Sequence, residues 1–401
     1  MPVEPVAEPL FTPTELAQNE KRKTAMVELF VSQEPVLIIG SGCSVQLKYP
    51  TWQGLLAKLT DLAHSIAADH GTQFVSVEPH PPQDLLRYAD EIKRFINGCD
   101  GKLDKYYNLL SAEFGDRDID DFHRLLVKLP SRGILTTNYD PSLDVALMQT
   151  DRSTVTADRF LVLEDDSTLR VAEFLASLNR DSGVPRRIAH LHGRFDRPKN
   201  IILTASDYGD KYHSRFSAAQ RQSIRDVFLN GAVGPQAVSV EGLIDQLELG
   251  VPPWSLHRKL LWSILATRRV VFIGFGLNDP YLGQMLALVT DDLWLWKKDR
   301  HFAIMALPDI DRAAAKSDAD RFQSKYAVGV VFYENRENQR HEGLNALVEE
   351  IGVACRVSAE PMLDIQPPAK VMIPVLAPGP RPDWINRNNQ IMKKRATKDA
   401  D

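Results

Sequence analysis

The sequence predicts an α/β fold: a doubly wound parallel sheet of about six strands with an inserted helical layer. Three observations predict it. Short runs rich in Val, Ile, Leu and Phe recur along the chain, apolar throughout rather than alternating, as strands buried on both faces are. Several of these runs end in glycine-bearing turns. Helix-length patterns separate them, and strands alternating with helices imply parallel pairing through crossovers. The arrangement is Rossmann-like, and ligands in such sheets sit beyond the carboxyl ends of the strands.

Taken in order, residues 1–12 are rich in Pro and Glu, and residues 1–22 are assigned to an N-terminal arm. The pattern from Glu15 to Val31 is helical, with Thr14 as cap. Val36 to Ile39 is a continuous apolar run opening into GSGCS, a buried strand feeding a glycine turn. Residues 52–69 and 81–128 read as helices, with turns near Gly71–Thr72 and Gly98–Gly101. Gly133 to Thr136 is the second strand and runs into TNYD; a helix follows from Pro141, since proline suits a first turn. Residues 151–185 are mixed. Arg187 to Leu191 is a strand closed by Gly193, 201–204 is short and apolar, and 206–265 is mostly helical. Arg269 to Gly274, Phe302 to Leu307 and Gly329 to Tyr333 complete the strands, with helices from Pro280, over Ile310–Tyr326 and over His341–Ile351. One nucleotide-binding domain is therefore expected over 23–357, with helical insertions at about 51–130 and 206–265. Residues 358–401 are Pro-rich, then polar and basic; such a tail buries little and suits docking on a partner.

The chain has 401 residues, 44% hydrophobic and 25% charged, enough apolar material for a full core. Lys+Arg 48 against Asp+Glu 53 leaves a net charge of −5, so no global field draws in polyanions and direct nucleic-acid binding is not expected. No apolar run approaches the roughly 20 residues of a membrane span. MPVEPVAEPLF lacks the basic and apolar regions of an export signal. Cys43, Cys99 and Cys355 lie far apart with no CxxC, which argues against a thiolate zinc site and suits free thiols in a reducing cytoplasm.

Five segments carry candidate chemistry. In Gly40-Ser41-Gly42-Cys43-Ser44 the glycines let backbone approach a pyrophosphate, amides and a helix terminus stabilise negative charge, and Ser44 adds a hydroxyl. The third glycine of the dinucleotide fingerprint is replaced by Val45, and a plain strand-to-helix turn is the competing reading. A second turn, Gly274-Phe275-Gly276-Leu277-Asn278-Asp279-Pro280, can face the first across a topological switch point. Asp279 is also a natural helix cap. In Thr136-Thr137-Asn138-Tyr139-Asp140, Asn138 can fix a water or a ribose hydroxyl, while cap chemistry ahead of Pro141 competes. His190-Leu191-His192-Gly193 admits a general base, a His-x-His metal pair or a structural histidine. The two rings point the same way if the strand is still extended. Trp52, after YPT, either walls a pocket or anchors a helix start.

The ordered set GSGCS, YPTW, TTNYD, HLHG and GFGLNDP resembles the sirtuin-like family of NAD-binding proteins over roughly residues 33–352. Sirtuins carry Gly-Ala-Gly-x-Ser, Thr-Gln-Asn-Ile-Asp and a catalytic His-Gly in the same order. YPTW, TTNYD and GFGLNDP look more like bacterial sirtuin-like domains of anti-phage defence than like deacetylases. By position the resemblance makes Asn138 and His192 catalytic. It gives Gly40, Ser41, Gly42, Ser44, Gly274, Phe275 and Gly276 to NAD binding and matches Asp140 to the motif's acidic residue; Trp52, Thr137 and Asp279, beside these motifs, are assigned to the same binding site. The family's four-cysteine zinc ribbon after His-Gly is missing, since only Cys355 follows, so no zinc is expected.

What the resemblance implies is an NAD+ hydrolase that releases nicotinamide and ADP-ribose. It would be a cytoplasmic defence effector and homo-oligomer, acting with a co-encoded ATPase or DNA translocase of the HerA/FtsK type. Two alternatives stand beside it: an NAD-dependent protein deacylase and a non-catalytic sensor of NAD or ADP-ribose.

Overall fold

The computed structural model describes residues 10–75, 85–115, 117–151, 159–164, 167–179, 184–212, 255–275, 280–293, 299–335 and 341–357. Seven parallel strands form one sheet: β1 (Val36–Ile39), β2 (Gly133–Thr136), β3 (Phe160–Val162), β4 (Ile188–His190), β5 (Val270–Ile273), β6 (His301–Pro308) and β7 (Val328–Asn335). Their order is β3-β4-β2-β1-β5-β6-β7. The strand beyond the expected six is β3, three residues long and set in the segment that read as mixed. It sits at the edge, where its register with Ile188–His190 rather than its own pattern defines it.

Each central strand is buried along its whole length, and successive residues alternate between two cores. Val36, Ile38, Leu135, Val270 and Phe272 face one apolar layer; Leu37, Ile39, Ile134, Val271 and Ile273 face the other. The first layer is completed by α7 (Thr168–Ser177), α8 (Ala205–Tyr212), α9 (Leu256–Thr267), α10 (Pro280–Leu293) and α11 (Arg312–Tyr326). The second is completed by α1 (Pro13–Gln33), α5 (Asp121–Lys128), α6 (Ser142–Thr150) and α12 (Glu342–Ala354). A parallel sheet covered on both faces follows, as the continuous apolar runs require.

A third core joins α2 (Trp52–Asp69), α3 (Leu85–Gly98) and α4 (Leu103–Glu113) to Ile201 and Leu203. This is the inserted helical layer between β1 and β2. Helix α5 packs instead on α6 and α12 against the sheet, its start set by Asp120, whose carboxylate accepts the His123 amide at 3.0 Å. The insertion that read as 51–130 thus holds two structural roles. Most of the second insertion, 206–265, lies outside the described residues, as does the tail 358–401.

The first helix begins at Pro13, capped by Thr12 through a reciprocal box with Glu15, not by Thr14. Residues 13–22 of the expected arm lie in α1, which covers the sheet edge. Asn19 donates from Nδ2 to the Phe332 carbonyl at 2.9 Å and accepts the Phe332 amide at 2.8 Å. A side-chain amide so satisfies the open edge of β7 at one residue.

Candidate active site

The chain leaves β1 toward β2, β3 and β4 on one side and β5, β6 and β7 on the other, so the switch point lies between β1 and β5. The turns after these strands interlock. The Gly40 amide donates to Ile273 and the Gly42 amide to the Gly274 carbonyl, both at 2.9 Å. Gly274 has φ +69°, and a Cβ there would lie 2.6 Å from Cys43 Sγ. A Cβ on Gly40 or Gly42 would lie 2.7 or 2.8 Å from the Gly274 carbonyl. The missing side chains therefore serve turn-on-turn packing. Expected amide donors are also committed: Cys43 N–H donates to Gly40 and Ser44 N–H to Ser41. Two 3₁₀ turns, Ser41–Cys43 and Val45–Leu47, precede α2, so no long helix springs directly from the loop. Gly276 and Asp279 lie outside the described residues.

Thr136 organises the loop after β2. Its hydroxyl donates to the Ile39 carbonyl at 2.9 Å and accepts the Asn138 amide at 3.0 Å. Asn138 is thereby swung toward the first turn. Its Nδ2 donates to the Gly40 carbonyl at 3.1 Å and to Ser44 Oγ at 3.0 Å, while its buried Oδ1 has no hydrogen-bond partner among the described residues. Both amide protons are used, so Asn138 offers only an acceptor. Ser44 accepts here through its oxygen, which leaves its hydroxyl proton for another acceptor. Asp140 makes an Asx turn just ahead of α6, whose N-cap is Pro141, its carboxylate accepting the Ser142 amide at 3.0 Å, and it also lines the pocket described below. Asx-turn and site readings of Asp140 therefore coexist.

The two histidines part company because β4 ends at His190 and the chain turns. His190 is fully buried and joins Asp144 through Nε2 at 2.9 Å and the Asn138 carbonyl through Nδ1 at 3.2 Å. Arg194 lies 3.5 Å from Asp144 and forks onto Asp196 at 2.8 Å through two nitrogens. Burial opposes the Arg194 charge, but Asp196 and Asp144 hold its pKa above the ordinary value. His192 turns toward the other core: Nε2 meets Tyr212 Oη at 2.9 Å and Nδ1 meets Tyr208 Oη at 3.4 Å. The rings share no focus, so the described residues give no His-x-His metal pair. Gly193, at φ +87°, lets the chain pass Asn200, whose carbonyl would lie 2.5 Å from a Cβ.

A pocket of about 420 Å³ opens at this edge. Gly40, Ser41, Gly42, Ser44, Thr137, Asn138, Asp140, His192, Gly274 and Phe275 line it together. Its apolar walls come from the helical layer, including Trp52, Leu55, Leu85 and Leu86, with Phe114, Tyr139 and Leu203. Trp52 opens α2, capped by Thr51, whose hydroxyl accepts the Gly54 amide at 3.1 Å, so it both starts a helix and walls the pocket. Cys43 is no nucleophile: burial, then the negative charges of Asp140 and Asp120, push its thiol far above the usual range.

Asp144, Tyr208 and Tyr212 escaped the sequence reading. Asp144 sits inside an unremarkable apolar helix. The tyrosines are spaced i, i+4 in YGDKY, which stacks them on one helix face, but nothing local links that face to His192.

The SIR2-like domain family matches residues 132–331, from β2 into β7. Two curated relatives are similar over more of the chain. NAD(+) hydrolase ThsA of Bacillus cereus (strain MSX-D12) is 24% identical over 291 residues, covering 70% of this chain and 46% of the relative. NAD(+) hydrolase ThsA of Enterococcus faecium is 22% identical over 272 residues, covering 67% and 42%. This chain thus spans less than half the length of either relative.

Proposed function

We propose that this chain, which carries a SIR2-like domain, is an NAD+ hydrolase that cleaves the nicotinamide–ribose bond and releases nicotinamide and ADP-ribose. One observation carries the reading: Asn138, held with both amide protons committed and a buried acceptor left over, shares one pocket with His192 at the switch point of a parallel sheet. The activity named for the two ThsA relatives supports it.

The chemistry suits the residues. Nicotinamide is bound in NAD+ as a pyridinium and leaves as a neutral pyridine, so no general acid is needed at the leaving group, unlike the paired carboxylates of O-glycosidases. Water adds to the ribose carbon as the bond to the pyridine nitrogen breaks, and the bond pair leaves with nicotinamide. One water proton is released, and His192 accepts it directly or through a ribose hydroxyl. Asn138 would receive a hydrogen bond from the water or the ribose hydroxyl and fix its approach. The interlocked turns and the aromatic wall would hold the dinucleotide. On the family resemblance, the chain acts as an anti-phage effector that depletes NAD, as a homo-oligomer with a co-encoded ATPase or DNA translocase.

The test is chromatography of NAD+ incubated with the full chain, alone and with that partner, with and without an acetylated peptide. Equimolar nicotinamide and ADP-ribose is expected. Acetyl-ADP-ribose would replace this reading with deacylation. Tight NAD binding without turnover in every arm would replace it with a sensor.

A further inference from the structure

We infer that Tyr212 is a positioning residue for His192: it accepts the Nε2 proton, fixes that tautomer, and so presents Nδ1 as the base toward the pocket. The inference rests on the hydrolase reading for its catalytic consequence, but not for its geometry.

A neutral imidazole carries one N–H and one lone pair. Tyr212 Oη lies 2.9 Å from Nε2, and Tyr208 Oη lies 3.4 Å from Nδ1. Both phenol rings meet the imidazole edge-on, at centroid distances of 5.8 Å and 5.1 Å. The two sides of the ring differ. Tyr208 lines the main pocket with His192, whereas Tyr212 lines a small apolar cavity behind it, with Ile38, Leu261 and Leu282. On this assignment a proton taken from substrate arrives on the Tyr208 side, at Nδ1. That nitrogen has a lone pair only if Nε2 holds the proton, and Nε2 holds it best when Tyr212 accepts it. Tyr212 would therefore do from a neutral phenol what a buried carboxylate does for other catalytic histidines.

The helix bearing both tyrosines is fixed from outside the sheet. Asp207 accepts the Leu203 and Thr204 amides at the start of α8 and pairs with Lys93 of α3 at 2.7 Å. Ser206 donates to Asp90 of the same helix. The inserted layer thus holds the element that holds His192.

Two measurements test this. Nitrogen-15 NMR of the imidazole in the full chain without nucleotide should show the Nε2–H tautomer in wild type, and a mixture in Tyr212→Phe. This reading needs no turnover, so it survives if the chain cleaves another substrate. In nicotinamide release, Tyr212→Phe should lower kcat roughly tenfold or more, leave KM within about twofold, and move the acid limb of the kcat profile to lower pH. An Nδ1–H tautomer in wild type, or a Tyr212→Phe variant with unchanged kcat and pH profile, overturns the assignment. Failure of wild type to release nicotinamide, with the Nε2–H tautomer present, overturns only the hydrolase reading.

Discussion

Asn138 reaches from the loop after β2 to Ser44 in the loop after β1, its Nδ2 3.0 Å from the Ser44 hydroxyl. This bond ties the two strand ends that flank the pocket, and it determines which atom of the amide remains for a ligand. An asparagine whose nitrogen is already satisfied twice is a directional acceptor.

Replacing Asn138 should therefore affect turnover more than folding. Asn138→Ala is expected to cut nicotinamide release roughly a hundredfold or more, since misplacing a reacting group by about an ångström has that effect. Asn138→Asp should fare no better, because its carboxylate would face the Gly40 carbonyl, 3.1 Å from the present nitrogen. Circular dichroism and product chromatography on both variants check this. A turnover within threefold of wild type in Asn138→Ala would remove the residue from the site.

Gly274→Ala should damage the scaffold. Its positive φ and the contacts a Cβ would make with Cys43, 2.6 Å to Sγ and 2.7 Å to N, both oppose a side chain. A loss of about 1–3 kcal/mol is expected, seen as a lower Tm. By contrast Gly209, whose Cβ would meet nothing within 4 Å among the described residues, should accept alanine with little change.

Asp144 lies between His190 and Arg194, all three buried. Asp144→Ala removes the carboxylate that accepts from His190 and leaves Arg194 held by Asp196 alone, at a cost of about 1–3 kcal/mol. Urea denaturation measures this directly. Because His190 Nδ1 also contacts the Asn138 carbonyl, the variant should further weaken turnover in whatever fraction remains folded.

His301 makes stability pH-dependent. Burial, then the Arg300 and Arg269 charges, lower its pKa to about 3, and its Nδ1 accepts the Val270 amide at 3.2 Å. The unfolded chain binds this proton near pH 6.5 and the folded one does not. The contribution is therefore complete above pH 6.5 and declines as pH falls toward about 3, at about 1.4 kcal/mol per pH unit. His301→Gln should be less stable at neutral pH, yet lose less between pH 6 and about 4. Parallel pH curves of the two proteins would show that His301 is not the group concerned.

Much of the fold was legible because parallel strands buried on both faces are continuous apolar runs, and six of them stand out. The seventh, β3, did not: three residues carry too little pattern, and only pairing with β4 makes them a strand. Of the candidate site, the turns and the residues Asn138, Asp140, His190 and His192 could be singled out from their positions at strand ends, while the choice of His192 over His190 came from the family resemblance. What those residues bond to could not be read, because their partners lie up to 98 residues away in sequence.

The amino-acid order alone determined the layered α/β architecture and the edge of the sheet at which the candidate site residues gather, since both follow from local periodicity and from where strands stop. Only the folded chain decided that glycines serve turn-on-turn packing, that His190 turns to Asp144 while His192 turns to the tyrosines, and that the inserted helices wall the pocket. Those outcomes depend on which segments meet in space, and hydrogen-bond direction and steric fit exist only once they have met.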